Sequence, residues 1–134
     1  MKAAVLFESK KPMPIVELDQ SEPKTGEVRV KMSAAGICAS DHHVMTGDNP
    51  TPMPIVLGHE GAGVVDAIGP GVSSVKLGDR CVLSFVANCG HCRSCREGLS
   101  NICDTNRETG TRQYDGTFRL HTSDGTEVHQ FAKL

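Results

Sequence analysis

The sequence predicts a mainly β domain with short helical turns, and three observations carry that prediction. Fourteen glycines and seven prolines stand against four phenylalanines, one tyrosine and no tryptophan, a composition of many turns and short strands rather than long helices. Residues 27–35 alternate Val28, Val30, Met32 and Ala34 with Glu27, Arg29, Lys31 and Ser33, the period-two pattern of a half-buried strand. Asp124-Gly125 between two apolar segments is a hairpin signal. At 134 residues the chain suits one domain, 1–134, whose core buries roughly two-thirds of the unfolded surface.

Taken in order, residues 1–7, 14–18 and 27–35 read as strands. Residues 40–45 are polar and follow Gly36-Ile37-Cys38, so they predict one helical turn that Ser40 or Asp41 caps. The glycines at 58, 61 and 63 permit close backbone approach, while Val64, Val65 and Ile68 supply strand character. No helix pattern follows them, which excludes a phosphate-binding loop. A turn at 76–80 leads into a strand over 81–86, where Cys81 is expected to be an inert buried thiol. Residues 117–120 and 127–132 flank the Thr122-Ser123-Asp124-Gly125 turn, and 130–134 still read as strand. The chain shows no repeat or linker and stops without a cap or tail, so a truncated domain is expected.

The formal charge of −2 offers no long-range attraction for nucleic acid. Arg93, Arg96 and Arg107 are interleaved with Glu97, Asp104 and Glu108, as in a solvated charged loop. The apolar run before Glu8 is too short for a secretory segment and nothing approaches a membrane span. A cytoplasmic protein with no membrane or nucleic-acid partner is expected. There, six cysteines are metal ligands or buried thiols rather than disulfides.

Four of those cysteines fall in the run CGHCRSCREGLSNIC, at Cys89, Cys92, Cys95 and Cys103. Short steps let three thiolates converge and a longer return brings the fourth, which predicts a closed zinc lobe over residues 88–104 that shapes a loop and performs no chemistry. His91 is a competing ligand that four thiolates make redundant.

A second constellation is Cys38 with His59, accompanied by Ser40, Asp41, His42, His43 and Glu60. These are the ingredients of a catalytic zinc with an open position, at which a bound hydroxyl is acidified. Ser40 is then the candidate to accept the proton and His43 to pass it to water, since imidazole as a residue type exchanges protons near neutrality. The pair taken alone is equally compatible with ordinary core and turn residues. Asp41 and Glu60 either orient a ligand or cap a turn and face solvent.

The runs Gly36-Ile37-Cys38-Ala39-Ser40-Asp41-His42-His43, Gly58-His59-Glu60-Gly61-Ala62-Gly63 and Gly78-Asp79-Arg80, followed by the four-cysteine lobe, resemble the zinc-dependent medium-chain alcohol dehydrogenases. The resemblance covers essentially the whole chain but only that family's N-terminal catalytic domain. It implies a GroES-like, partly open β barrel. It also implies Cys38 and His59 as catalytic zinc ligands, Ser40 and His43 as the proton relay, and Cys89, Cys92, Cys95 and Cys103 as structural ligands. Asp41 would hydrogen-bond His59, and Glu60 would lie close to the metal and ligate it transiently. The implied reaction is hydride exchange between a zinc-bound alcohol or aldehyde and NAD or NADP.

Departures from the pattern limit the expectation. The family's third ligand, usually a cysteine, lies downstream of the lobe, and no cysteine follows Cys103. The glycine-rich turn of a Rossmann domain is also missing. Ala39 stands where many relatives carry a basic residue for the cofactor pyrophosphate, and His42 is expected to face solvent. The expectation is therefore an inactive catalytic-domain fragment with a complete lobe and an incomplete catalytic site. Its exposed apolar surface favours homo-oligomers. A stand-alone zinc-binding interaction module is the alternative.

Overall fold

The computed structural model describes residues 1–132. Two sheets make up the mostly β architecture, and short helices fill the connections. Strand β1 (Lys2–Leu6) pairs antiparallel with β2 (Ile15–Glu17) on one side and with β5 (Ile55–Val56) on the other. The sheet continues through β9 (Glu127–Gln130), β8 (Leu120–His121) and β3 (Asp19–Gln20), giving the order β2-β1-β5-β9-β8-β3. Only β5 and β9 run parallel among these pairs. The second sheet is β4 (Val28–Ala35), β6 (Gly61–Ile68) and β7 (Arg80–Val82), antiparallel throughout.

Two apolar clusters hold the six-stranded sheet together. Val5, Leu18, Leu120 and Val128 form one. Successive residues of β1 point to opposite faces, so Leu6 joins the other cluster with Ile55 and Val44. Val44 comes from helix α1 (Ala39–Thr46), and its complete burial ties that helix to the sheet.

Several expectations change at this point. The helical turn over 40–45 is an eight-residue helix whose N-cap is Cys38, not Ser40 or Asp41. Asp41 instead occupies the third helical position, where its Oδ2 accepts the Cys38 N–H at 3.0 Å. The alternating strand over 27–35 is present, but Lys31 to Ala35 are exposed on both faces. Irregularities between Arg29 and Val30 and between Met32 and Ala34 break its register with β6. A bulge shifts the side-chain alternation and defeats a simple two-face reading. Strand β7 stops at Val82 rather than at 86, because Ser84 Oγ donates to the Val86 carbonyl at 3.0 Å in a turn. Cys81 is half-buried, not buried, and its thiol donates to the Gly63 carbonyl at 3.7 Å.

The hairpin is observed, with Leu120 opposite Val128 and His121 opposite Glu127. Its turn is tied by Asp124 Oδ1, which accepts the Thr126 N–H at 3.1 Å and the Thr122 hydroxyl. The last strand ends at Gln130, and the part of the expected strand at residues 133–134 lies outside the described residues. Strands β3 and β5 and two helices around the cysteines were not foreseen. Those helices, α2 (Arg93–Arg96) and α3 (Asp104–Thr109), are too short to carry a periodic pattern.

Candidate metal centres

The four lobe cysteines converge as their spacing predicts, with all four sulfurs within 4.8 Å of one another. Helix α2 starts at Cys92, whose sulfur accepts the Cys95 N–H at 3.5 Å, and α3 starts at Cys103, whose sulfur accepts the Asn106 N–H at 3.4 Å. Each short helix is thus anchored on a ligand-type sulfur. Cys89 Sγ accepts the Cys92 N–H and the Thr105 hydroxyl, both at 3.3 Å. These donors favour thiolate over thiol. The Thr105 hydroxyl is the main cause that brings the Cys89 thiol down to about 5. Burial opposes ionisation of Cys103, yet N–H donors from Cys89 and Asn106 bring it below its ordinary value. Cys95 goes the other way, pushed up to about 12 by burial and by its thiol neighbours.

Zinc suits this donor set. Two sulfurs on a tetrahedral zinc sit about 3.8 Å apart, given Zn–S bonds of roughly 2.3 Å, and Cys92 Sγ lies 3.9 Å from Cys103 Sγ. His91 does not join the four: its Nδ1 donates to the Cys89 carbonyl at 2.7 Å and the side chain is exposed. Ser94 donates from both its N–H and its hydroxyl to Asp104, which holds that carboxyl below its usual range and joins α2 to α3. Burial, and then the charges of Cys103, Cys89 and Cys95, push the Tyr114 phenol up to about 12.

A second group forms where α1, the end of β5 and the start of β6 meet. Ligand-type atoms of Cys38, His59 and Glu60 all lie within 4.8 Å of one another. The structure thereby brings a third donor, Glu60, to the pair that the sequence left incomplete. Gly36 makes room for it, because a Cβ there would come within 2.5 Å of Glu60 Oε2. Gly58 turns the chain into the site with φ of 100°, a backbone region that disfavours side chains.

Asp41 organises this group from behind. It is 4% exposed, and its Oδ1 accepts the Gly58 N–H at 3.0 Å while Oδ2 holds the Cys38 N–H. Both ends of the site therefore hang on one carboxylate. His59 Nδ1 lies 3.4 Å from Asp41 Oδ1 but lacks hydrogen-bond geometry, so it is a buried nitrogen without a hydrogen-bond partner among the described residues. Nδ1 faces the Asp41 carboxylate, so Nε2 is the ring nitrogen turned away from it. A thiol, an imidazole and a carboxylate are also a donor set that zinc accepts. Ser40 Oγ sits 3.4 Å from His59 Nε2.

His43 is exposed, as His42 is, and its ring touches His42 edge-on rather than Ser40. It follows Ser40 by three residues on α1, so both lie on neighbouring helical positions. Sequence reasoning missed the aromatic walls of the site. Phe85 and Phe131 pack on the His59 ring at centroid distances of 4.6 and 5.3 Å. Neither residue sits in a local pattern that signals this, since one follows the end of β7 and the other the end of β9. A groove of about 640 Å³ lined by Ala34, Ala62, Val82, Leu83 and Phe85 opens beside His59 and Glu60.

Residues 24–128, which contain both groups, match the alcohol dehydrogenase GroES-like domain. The chain belongs to that family. It is 51% identical over 134 residues to a protein of Mycobacterium tuberculosis provisionally named alcohol dehydrogenase D, covering 98% of this chain and 36% of that one. An alcohol dehydrogenase zinc-binding domain protein from Burkholderia ambifaria superposes with a TM-score of 0.89 at 37% identity, over 98% of this chain and 36% of that chain. Benzyl alcohol dehydrogenase from Acinetobacter calcoaceticus does so with a TM-score of 0.85 at 34% identity, over 98% and 35%. The chain thus spans about a third of the length of the relatives it matches. The GroES-like fold expected from the resemblance is the fold observed, a mostly β, curled half-barrel.

Proposed function

We propose that residues 1–134 form one zinc-binding catalytic domain of an NAD- or NADP-linked alcohol dehydrogenase of the cytoplasm. The observation that carries this reading is the convergence of Cys38, His59 and Glu60 in front of the buried carboxylate of Asp41. Cys38, His59 and Glu60 hold a catalytic zinc, and Cys89, Cys92, Cys95 and Cys103 hold a structural one. Zinc at the first centre supplies Lewis-acid polarisation of an alcohol or aldehyde oxygen.

The chain's own residues do the remaining work. Asp41 fixes the Cys38 and Gly58 backbones, so the segments that carry the donors are held in place before anything binds. Ser40 Oγ, beside His59 Nε2, takes the proton released by the substrate hydroxyl. As Ser40 accepts that proton it gives up its own to solvent, and His43, one helical turn on and exposed, takes it up from there. Phe85 and Phe131 keep bulk water off the imidazole. The nicotinamide cofactor and most of the substrate contacts belong to regions of the relatives beyond this chain's span, so this chain alone carries no dehydrogenase activity.

Metal quantitation tests the reading. Two zinc ions per chain are expected, one of which is lost in Cys38→Ser with the lobe still loaded. A chain that holds no zinc at Cys38, or that oxidises a simple alcohol with NAD unaided, contradicts it. Addition of a nucleotide-binding domain in trans is the matching gain-of-activity experiment.

A further inference from the structure

Two residues outside both metal centres meet where the chain leaving the lobe crosses β9. Helix α3 begins on Cys103 and ends at Thr109, and the Arg112 N–H on the Thr109 carbonyl at 3.2 Å closes the turn that follows. Thr111, inside that turn, bonds β9 twice. Its carbonyl accepts the Gln130 N–H at 3.3 Å, and its hydroxyl is hydrogen-bonded to His129 Nδ1 at 2.6 Å. The His129 ring is half-buried, and Phe118 packs edge-on against it at a centroid distance of 4.7 Å. Gln113, 7% exposed, adds a bond from its side-chain amide to Gln130 Oε1 at 3.3 Å.

These bonds hold β9 on the edge that β5 leaves free. The His129 and Phe131 N–H groups point to the β5 side, donating to the Pro54 carbonyl at 2.9 Å and the Val56 carbonyl at 3.0 Å, while the Gln130 N–H points the other way, to Thr111. Pairing with β8 has stopped by then, at Leu120 opposite Val128. The next residue is Phe131, which packs on the His59 ring and lies 6.0 Å from Phe85. Thr111 therefore holds, from the side of the lobe, the strand end that seats an aromatic ring on a residue of the other centre.

We propose that Thr111 and His129 are positioning residues for the Cys38–His59–Glu60 centre: they tie the helix that leaves the lobe to the strand that seats Phe131 on His59, so that zinc in the lobe tightens zinc binding at Cys38. The inference rests on the reading of both centres as zinc sites. Neither Thr111 nor His129 belongs to the ligand-type residues of either group, so both act through Phe131. Metal in the lobe pins Cys103 and with it the start of α3, which fixes where Thr111 meets β9. An imidazole already held between Phe85 and Phe131 loses less freedom when metal binds. By linkage the effect is reciprocal, and zinc at Cys38 tightens the lobe by the same factor.

The test measures zinc affinity at Cys38 by chelator competition in the full chain and in its Thr111→Val, Thr111→Ser, Cys92→Ser and Thr111→Val/Cys92→Ser variants, with Cys38→Ser identifying which ion is read. The His59 ring protons, which sense the ring currents of Phe85 and Phe131, are followed by NMR in the same chains. Thr111→Val keeps the side-chain shape and removes the hydroxyl. It is expected to weaken zinc binding at Cys38 about fivefold and to move the His59 resonances, with the lobe still loaded. Thr111→Ser, which keeps the hydroxyl, is expected to match the parent. Cys92→Ser is expected to cost the same factor at Cys38, and the double variant no more than either single one, because both act through one tether. Thr111→Val and Thr111→Ser carry the test if Cys92→Ser fails to fold. Unmoved His59 resonances with parental affinity in Thr111→Val overturn the inference and leave the zinc reading intact, and a Thr111→Ser chain that behaves like Thr111→Val overturns the role of the hydroxyl. Additive losses in the double variant overturn the coupling to the lobe, and a parent that takes up no zinc at Cys38 overturns both readings.

Discussion

Asp41 shows how one buried carboxylate sets up a site whose donors come from different elements. It holds the Cys38 and Gly58 N–H groups and faces His59 Nδ1. Asp41→Ala leaves those two half-buried donors without an acceptor, which is expected to cost about 1–3 kcal/mol in all, read as a lower denaturation midpoint. It is also expected to lower zinc occupancy at Cys38 without changing the lobe. Gly36→Ala acts differently. The added Cβ meets Glu60 Oε2 at 2.5 Å and Glu60 Cβ at 3.1 Å rather than backbone, so Glu60 must shift, and metal affinity at Cys38 is expected to fall about tenfold with a smaller loss of stability than in Asp41→Ala. Competition with a chelator distinguishes the two. The lobe was legible in the sequence because its steps are short and local. The Cys38–His59 pair is 21 residues apart in number, so local spacing says little about it, and Glu60 was placed near the metal by the family resemblance rather than by any local pattern.

Elements were legible where local pattern and tertiary demand agreed. The β8–β9 hairpin is declared by its turn residues, and β1 by its apolar run. Strand β4 was legible as a strand but not in its burial, because two register irregularities and a lack of cover over its far end came from outside the segment. The two-residue strands β3 and β5 have no pattern to read and exist because neighbouring strands offer them partners. Leu6, fully buried between α1 and β5, is the test of how β1 carries that cluster: Leu6→Ala is expected to cost about 2–5 kcal/mol in chemical denaturation. The ion-pair cluster of Lys24, Glu27, Asp115 and Arg119 gives the fold an acid limit. Burial alone would push the Asp115 carboxyl up, but hydrogen bonds from Lys24, Thr117 and Arg119 hold it well below the usual carboxylate range. A depressed folded-state value means the stabilisation is complete above the unfolded value of about 3.9 and is lost as pH falls below it. Wild type is therefore expected to lose stability below about pH 4 more steeply than Asp115→Asn, as followed by urea denaturation across that range.

For the whole molecule, the two sheets and the lobe are expected to unfold together in one transition, the behaviour of most domains of this size. Coincident midpoints by circular dichroism and by release of lobe zinc are the check. Ile37 is 91% exposed and Val82 is 81% exposed, close in sequence to Cys38 and to the groove beside His59. Apolar surface of this kind favours association, so sedimentation is expected to show self-association at high concentration, weakened in Val82→Ser. Its exposure was not legible from the sequence, where Val82 reads as a strand residue like any other.

The parallel pairing of β5 with β9, Ile55 opposite His129 and Val56 opposite Gln130, has a consequence for where this chain tolerates change in length. Beyond the pair, one strand runs on to His59 and the other to Phe131, which packs against that imidazole. Both rings are delivered by counting residues from a shared register. One residue added between Gln130 and Phe131 replaces the aromatic neighbour of His59, whereas a peptide inserted at the exposed Asp124-Gly125 tip leaves the count unaltered. A reporter tag belongs at that tip.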